Sequence, residues 1–205
     1  MTRTTLTPAT TAEQPGTARA PRPLRVDTES ATRRRDRVGG AAAVLAGVLS
    51  AAIGVTQVLF PQDLDPAIDP RTRVILVGFS LVLWALVPVH LRLAARARSR
   101  WGGVAASCGT VLLTVGTVSS AVNGADLAIF PPVAVVANAL WLVGSVALAV
   151  SLWRTRRVPR AVAALLVVVM PASILGSQNG GAVLAGGYLL VVGLLLLTAR
   201  LDRRA

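Results

Sequence analysis

From Gly39 onward the chain alternates long apolar runs with short polar connections. Six runs stand out, at 39–60, 74–91, 102–122, 132–153, 161–177 and 181–199, and none contains an Asp, Glu, Lys or Arg. Each lies near the ~20 residues that a helix needs to cross ~30 Å of hydrocarbon. A backbone in lipid has no water to satisfy its polar groups, so each run is predicted to be helical. The breaks agree. Pro61 ends the first run, Asp69-Pro70 offers an N-cap and a proline first position to the second, and Pro131-Pro132 opens the fourth. Val158-Pro159 precedes the fifth run, inside which Pro171 predicts a kink. The expected fold is all-α: a polytopic transmembrane bundle of six helices with both termini cytoplasmic.

Residues 1–38 have a different character, with nine threonines, four prolines, eight arginines and few large apolar side chains. Such a segment buries too little surface to offset chain entropy, so it is expected to be a disordered cytoplasmic tail. Residues 201–205 form a short basic tail at the other terminus.

Composition strengthens the membrane reading. The chain is 54% hydrophobic and only 15% charged, against about 25% charged for soluble domains. Its net charge of +12 comes from 21 basic residues, every one an arginine. Nineteen of them fall in the N-tail, the second and fourth connections and the C-tail; only Arg71 and Arg73 lie on the opposite side. The positive-inside rule therefore predicts a multi-pass protein of the inner (plasma) membrane with cytoplasmic termini. Trp101 and Trp153, beside arginine clusters, fit interfacial anchors. The arginines come in separate pieces without aromatic interleaving, so membrane lipids with anionic headgroups are the expected partners rather than nucleic acid. A protein partner or a second copy of the chain would be in keeping with a membrane component.

Candidate chemistry is sparse. Cys108 is the only cysteine, which excludes a disulfide within the chain, and it reads as a small packing residue. His90, the only histidine, supplies at most one ligand to a metal or haem, so neither a metal nor a cofactor is expected; a pH-responsive role is its sharper reading. No carboxylate lies within a run, and the histidine sits at the opposite end from the outer polar residues, so enzymatic chemistry is not expected. On the third run Gly103, Ser107, Thr110, Thr114, Thr117 and Ala121 recur at helical spacing and predict a packing stripe. Leu113 is expected to point elsewhere. Gln57, Asn123, Asp126, Asn138, Gln178 and Asn179 all fall toward the non-cytoplasmic end, where they are candidate lining for a ligand-binding vestibule.

Several local marks carry a resemblance: Phe60-Pro61, Pro88-Val89-His90-Leu91, Arg98-Ser99-Arg100-Trp101-Gly102, Val158-Pro159-Arg160 and Gly187-Tyr188. In their order, over about 39–200, the chain resembles the small uncharacterised six-span integral membrane proteins of actinobacterial type. The resemblance implies the fold and no specific activity. Function is therefore expected to be non-enzymatic, in sensing or in assembling with a partner. The alternative is a small transporter or permease-like subunit with an outward-facing polar vestibule, although proton- and ion-coupled carriers usually keep a charged residue inside the spans.

Overall fold

A computed structural model describes residues 25–60, 69–156, 158–176 and 179–198, and among these the chain is all α-helical. Six helices follow one another: α1 (Arg25–Leu59), α2 (Pro70–Ala97), α3 (Arg100–Asn123), α4 (Phe130–Thr155), α5 (Arg160–Leu175) and α6 (Gly181–Leu197). The first four, at 24 to 35 residues, are long and apolar enough to cross a membrane. The last two, of 16 and 17 residues, reach about 24–26 Å at 1.5 Å per residue.

Local signals explain the boundaries. The Asp69 carboxylate accepts the Thr72 N–H at 2.6 Å, and Pro70 fills the first helical position of α2. Hydrogen bonding to Thr72 also holds the Asp69 carboxyl below its ordinary pKa. Gly124 and Gly180 adopt left-handed conformations, with φ of 71° and 82°, at the end of α3 and the start of α6. Helix α5 continues through Pro171.

One boundary departs from the sequence expectation. Helix α1 begins at Arg25, so residues 25–38 are helical where composition had predicted disorder; residues 1–24 and 199–205 lie outside the described residues. Two causes suffice. Extending an existing apolar helix avoids the cost of a new nucleus. In addition, Asp36 on this extension takes hydrogen bonds from Arg92 and, at 3.2 Å, from Arg96, both near the end of α2.

Each helix packs antiparallel on the next, and α6 returns to α1, so the helices close a ring; α2 also touches α4. Two glycine seams set the spacing of that ring. On α1, Gly40, Gly47 and Gly54 recur every seven residues and meet Gly193, Gly186 and Val183 of α6. On α3, Gly102, Gly109 and Gly116 recur in the same way and meet Gly144, Ala137 and the Phe130 ring of α4. At Gly47, Gly54 and Gly109 a Cβ would lie under 3.0 Å from facing backbone, and at Gly116 it would run into the Phe130 ring, so glycine permits the approach there; at Gly40 and Gly102 the facing carbonyls stand at 3.1 and 3.2 Å. Between α2 and α3 the contact is partly polar: the Ser80 and Thr117 hydroxyls lie 2.7 Å apart.

The expected α3 stripe is buried from Gly103 through Ala121. Leu113, expected to point elsewhere, is buried too, because α3 is enclosed by α2 on one side and α4 on the other. Cys108 also departs from its expected packing role. It is exposed, on the outward face that carries Trp101, Val104, Val111, Val115 and Val118. Comparable bare faces occur around the ring, with Val74 at 72% exposure, Trp84 at 60%, Val135 at 70% and Leu184 at 65%. So much contiguous apolar surface is unfavourable in water and favourable in lipid.

Candidate functional site

Inside the ring lies a chamber of about 360 Å³ to which all six helices contribute. It is long and thin. Helix α2 lines it from Ile75 to Leu93, a rise of about 27 Å. Most of the wall is apolar, from side chains such as Phe79, Leu86, Leu113, Leu166, Val169 and Leu189. A chamber of this volume and character falls within the usual range of small-molecule sites, about 300–1,000 Å³.

Polar groups enter the wall in two zones. Toward the end where α1 finishes and α2 begins, Ser50 and Gln57 of α1, Asn138 of α4 and Ser173 of α5 line it. Gln57 is buried and Asn138 half-buried. The Ser50 hydroxyl is already used, donating to the Ala182 carbonyl of α6 at 2.8 Å, so it ties the wall together. The second zone is deeper. His90 of α2 and Trp141 of α4 both line the chamber and both pack near the first half of α3, His90 against Gly103 and Trp141 against Gly109.

These two deep residues are chemically incomplete. His90 is 2% exposed and Trp141 4% exposed, yet the His90 Nδ1 and the Trp141 Nε1–H have no hydrogen-bond partner among the described residues. The hydroxyls of Ser107 and Ser145 share that condition. Nearly all buried polar atoms in folded proteins find partners, and leaving one unmade costs roughly 1–3 kcal/mol. The His90 and Trp141 side chains both belong to the chamber wall, but these two nitrogens are themselves closed off from its space. The nearby Tyr188, also in the wall, is by contrast complete: its hydroxyl donates to the Val162 carbonyl of α5 at 3.1 Å and pins α6 to α5.

The residues predicted for a vestibule thus divide. Gln57 and Asn138 come together in the chamber wall, and His90 joins them at greater depth. Asn123, Asp126 and Asn179 are exposed and do not line the chamber. The first two serve their own helix end. Asn123 donates to the Ser119 carbonyl at 2.9 Å, and Asp126 accepts from the Ser120 hydroxyl. Gln178 lies outside the described residues. Trp141, Ser173 and Tyr188 were missed in the sequence because no local pattern separates a wall residue from a packed one.

No protein family, curated protein or solved structure matches this chain.

Proposed function

We propose that the chain is a six-span plasma-membrane protein, both termini cytoplasmic, that binds an elongated amphiphile in its central chamber as a non-enzymatic sensing component. The observation that carries this reading is the long, mainly apolar chamber of about 360 Å³ with the amides of Gln57 and Asn138 in its wall toward one end. A slender apolar body fits the walls, and a carbonyl or hydroxyl at one end of it would find a partner in those amides, each of which carries donors and an acceptor. The spanning topology is supported by the arginine split, by the apolar outward faces and by the up-and-down ring, in which the arginine-rich connections share one end. The shorter α5 and α6 can span where the bilayer thins locally or flanking residues snorkel. Opening of the chamber toward the α1–α2 connection is supported by the half-buried Asn138 and the exposed Ile174 on its wall.

The test is native mass spectrometry of the chain extracted from its own membranes in mild detergent. A small-molecule adduct should accompany the natural protein and the control Leu184→Trp, whose side chain faces outward. It should be absent from Ala185→Trp, which fills the chamber wall. Equal adducts in the two variants would contradict the reading.

One observation favours a second reading, a small transporter. Helix α5 packs more sparsely on its two neighbours, α4 and α6, than any other helix of the ring does, so it is the segment that could part from it. Transport requires access from both ends. A cysteine at Leu93, at the far end of the chamber, should then react with a water-soluble reagent from the side of the termini, whereas a one-ended binding chamber keeps it protected.

A further inference from the structure

A second cavity, separate from the chamber, lies between the extension of α1 and the last turns of α2. Its volume is about 840 Å³. Its walls change character along its length. Arg34 and Arg35 of α1 and Arg92 of α2 line one part; Val38 of α1 with Pro88 and Leu91 of α2 lines the other. The change coincides with the start of the apolar run at Gly39, so the groove straddles the boundary between charged and apolar helix surface. Val38 and Leu91 are left 56% and 46% exposed.

The charge balance of this groove is uneven. Asp36 is the acid that faces α2 here, and it is shared between Arg92 and Arg96. That pairing fixes the two helices relative to one another and holds the groove open beside Gly39, where the Arg92 stem packs. Arg34 and Arg35 are exposed in the same groove and have no carboxylate partner among the described residues. Two guanidinium groups beside an apolar trough match a molecule that joins a phosphate to a hydrocarbon chain, since arginine presents a planar donor fork to phosphate oxygens.

We propose that this groove binds one anionic phospholipid, its phosphate held by Arg34 and Arg35 and its acyl chains laid on Val38, Pro88 and Leu91. It rests on the membrane reading only for placing the groove at headgroup depth. Whether the chamber holds a ligand does not bear on it.

Native mass spectrometry of the full chain in detergent tests it, with phosphatidylglycerol, phosphatidylcholine and inorganic phosphate as separate probes. Phosphatidylglycerol should be retained in preference to phosphatidylcholine, and inorganic phosphate at equal concentration should neither bind nor displace it. The double variant Arg34→Gln, Arg35→Gln should weaken phosphatidylglycerol retention by about thirtyfold, roughly a factor of five for each basic group near an anionic headgroup. Arg98→Gln, Arg100→Gln, which alters the neighbouring connection, should leave it unchanged. Leu91→Asp keeps every arginine and should also weaken the lipid adduct. If the double variant loses helix content, the Leu91→Asp result decides. Equal retention of the two lipids, displacement by phosphate, or undiminished binding in a folded double variant or in Leu91→Asp would overturn the proposal.

Discussion

Gly47 of α1 and Gly186 of α6 meet backbone to backbone: a Cβ on Gly47 would lie 2.9 Å from the Gly186 carbonyl oxygen, and one on Gly186 would lie 2.7 Å from that of Gly47. With Gly40 against Gly193, this contact closes the ring between the first and last helices. Without a hydrophobic drive between helices in lipid, such close packing is a principal source of association.

Gly186 and its neighbour Gly187 should therefore respond oppositely to the same change. Nothing lies within 4 Å of a Cβ built on Gly187, so Gly187→Ala should be neutral or stabilising by up to about 1 kcal/mol through helix propensity. Gly186→Ala should overpack the seam and cost roughly 1–3 kcal/mol. Thermal unfolding in detergent checks both, and equal effects would remove the seam from the account.

The Asp36 contact predicts a local loss. Asp36→Asn weakens the hydrogen bonds from Arg92 and Arg96 and leaves two neighbouring cations opposed. Charge-assisted bonds of this kind contribute about 1.5–3 kcal/mol when one partner is removed, and partial exposure of the pair, at 15% for both side chains of Arg92–Asp36, places the effect toward the lower end. Trypsin cleavage at Arg33–Arg37 should accelerate while the melting of the remaining helices shifts little. Unchanged cleavage would mean that the extension is held by other contacts.

Much of this fold was legible in the sequence, and the limits have physical causes. All six helices lie where uncharged apolar runs meet Pro, Gly or Asp boundaries, because lipid and backbone hydrogen bonding leave a long apolar run no alternative. The start of α1 was not legible: the partners of Asp36 lie 56 and 60 residues away. Glycines spaced by seven were visible at 40, 47 and 54 and again at 102, 109 and 116, yet spacing alone does not say which helix a seam faces. The stripe on α3 proved to be one of two small-residue faces, which is why Leu113 is buried. Of the chamber wall, Gln57 and Asn138 were legible as polar positions, since amides within apolar runs are conspicuous. Asn123 and Asp126 stand outside the chamber wall, because a polar residue one turn beyond a span can as easily bond its own helix end.

The hydrogen bond between Ser80 and Thr117 supports a prediction of a different kind. Ser80→Ala and Thr117→Val should each be mildly destabilising, and their double-mutant cycle should give a coupling of about 0.6 kcal/mol, the mean for interhelical hydrogen bonds in a membrane protein. Thr114→Leu, on the same buried face, should cost more than either, roughly 1–3 kcal/mol, because bulk is added at a close approach. A coupling of zero would mean that the two hydroxyls bond only within their own helices.

The central claim is a membrane-spanning ring whose chamber is reached from the side opposite the termini, and single-cysteine labelling in intact cells tests it most directly. In a Cys108→Ser background, Gln57→Cys and Asn138→Cys, in the chamber wall, should react with a membrane-impermeant thiol reagent added outside. Trp84→Cys and Val115→Cys, on bare outward faces at 60% and 65% exposure, should not react in the membrane although both become reactive once detergent strips the lipid. Thr155→Cys, at the end of α4 beside the arginines of the fourth connection, should be labelled only after the cells are opened. Labelling of Thr155→Cys in intact cells, or equal reactivity of chamber and outward-facing positions, would contradict the account.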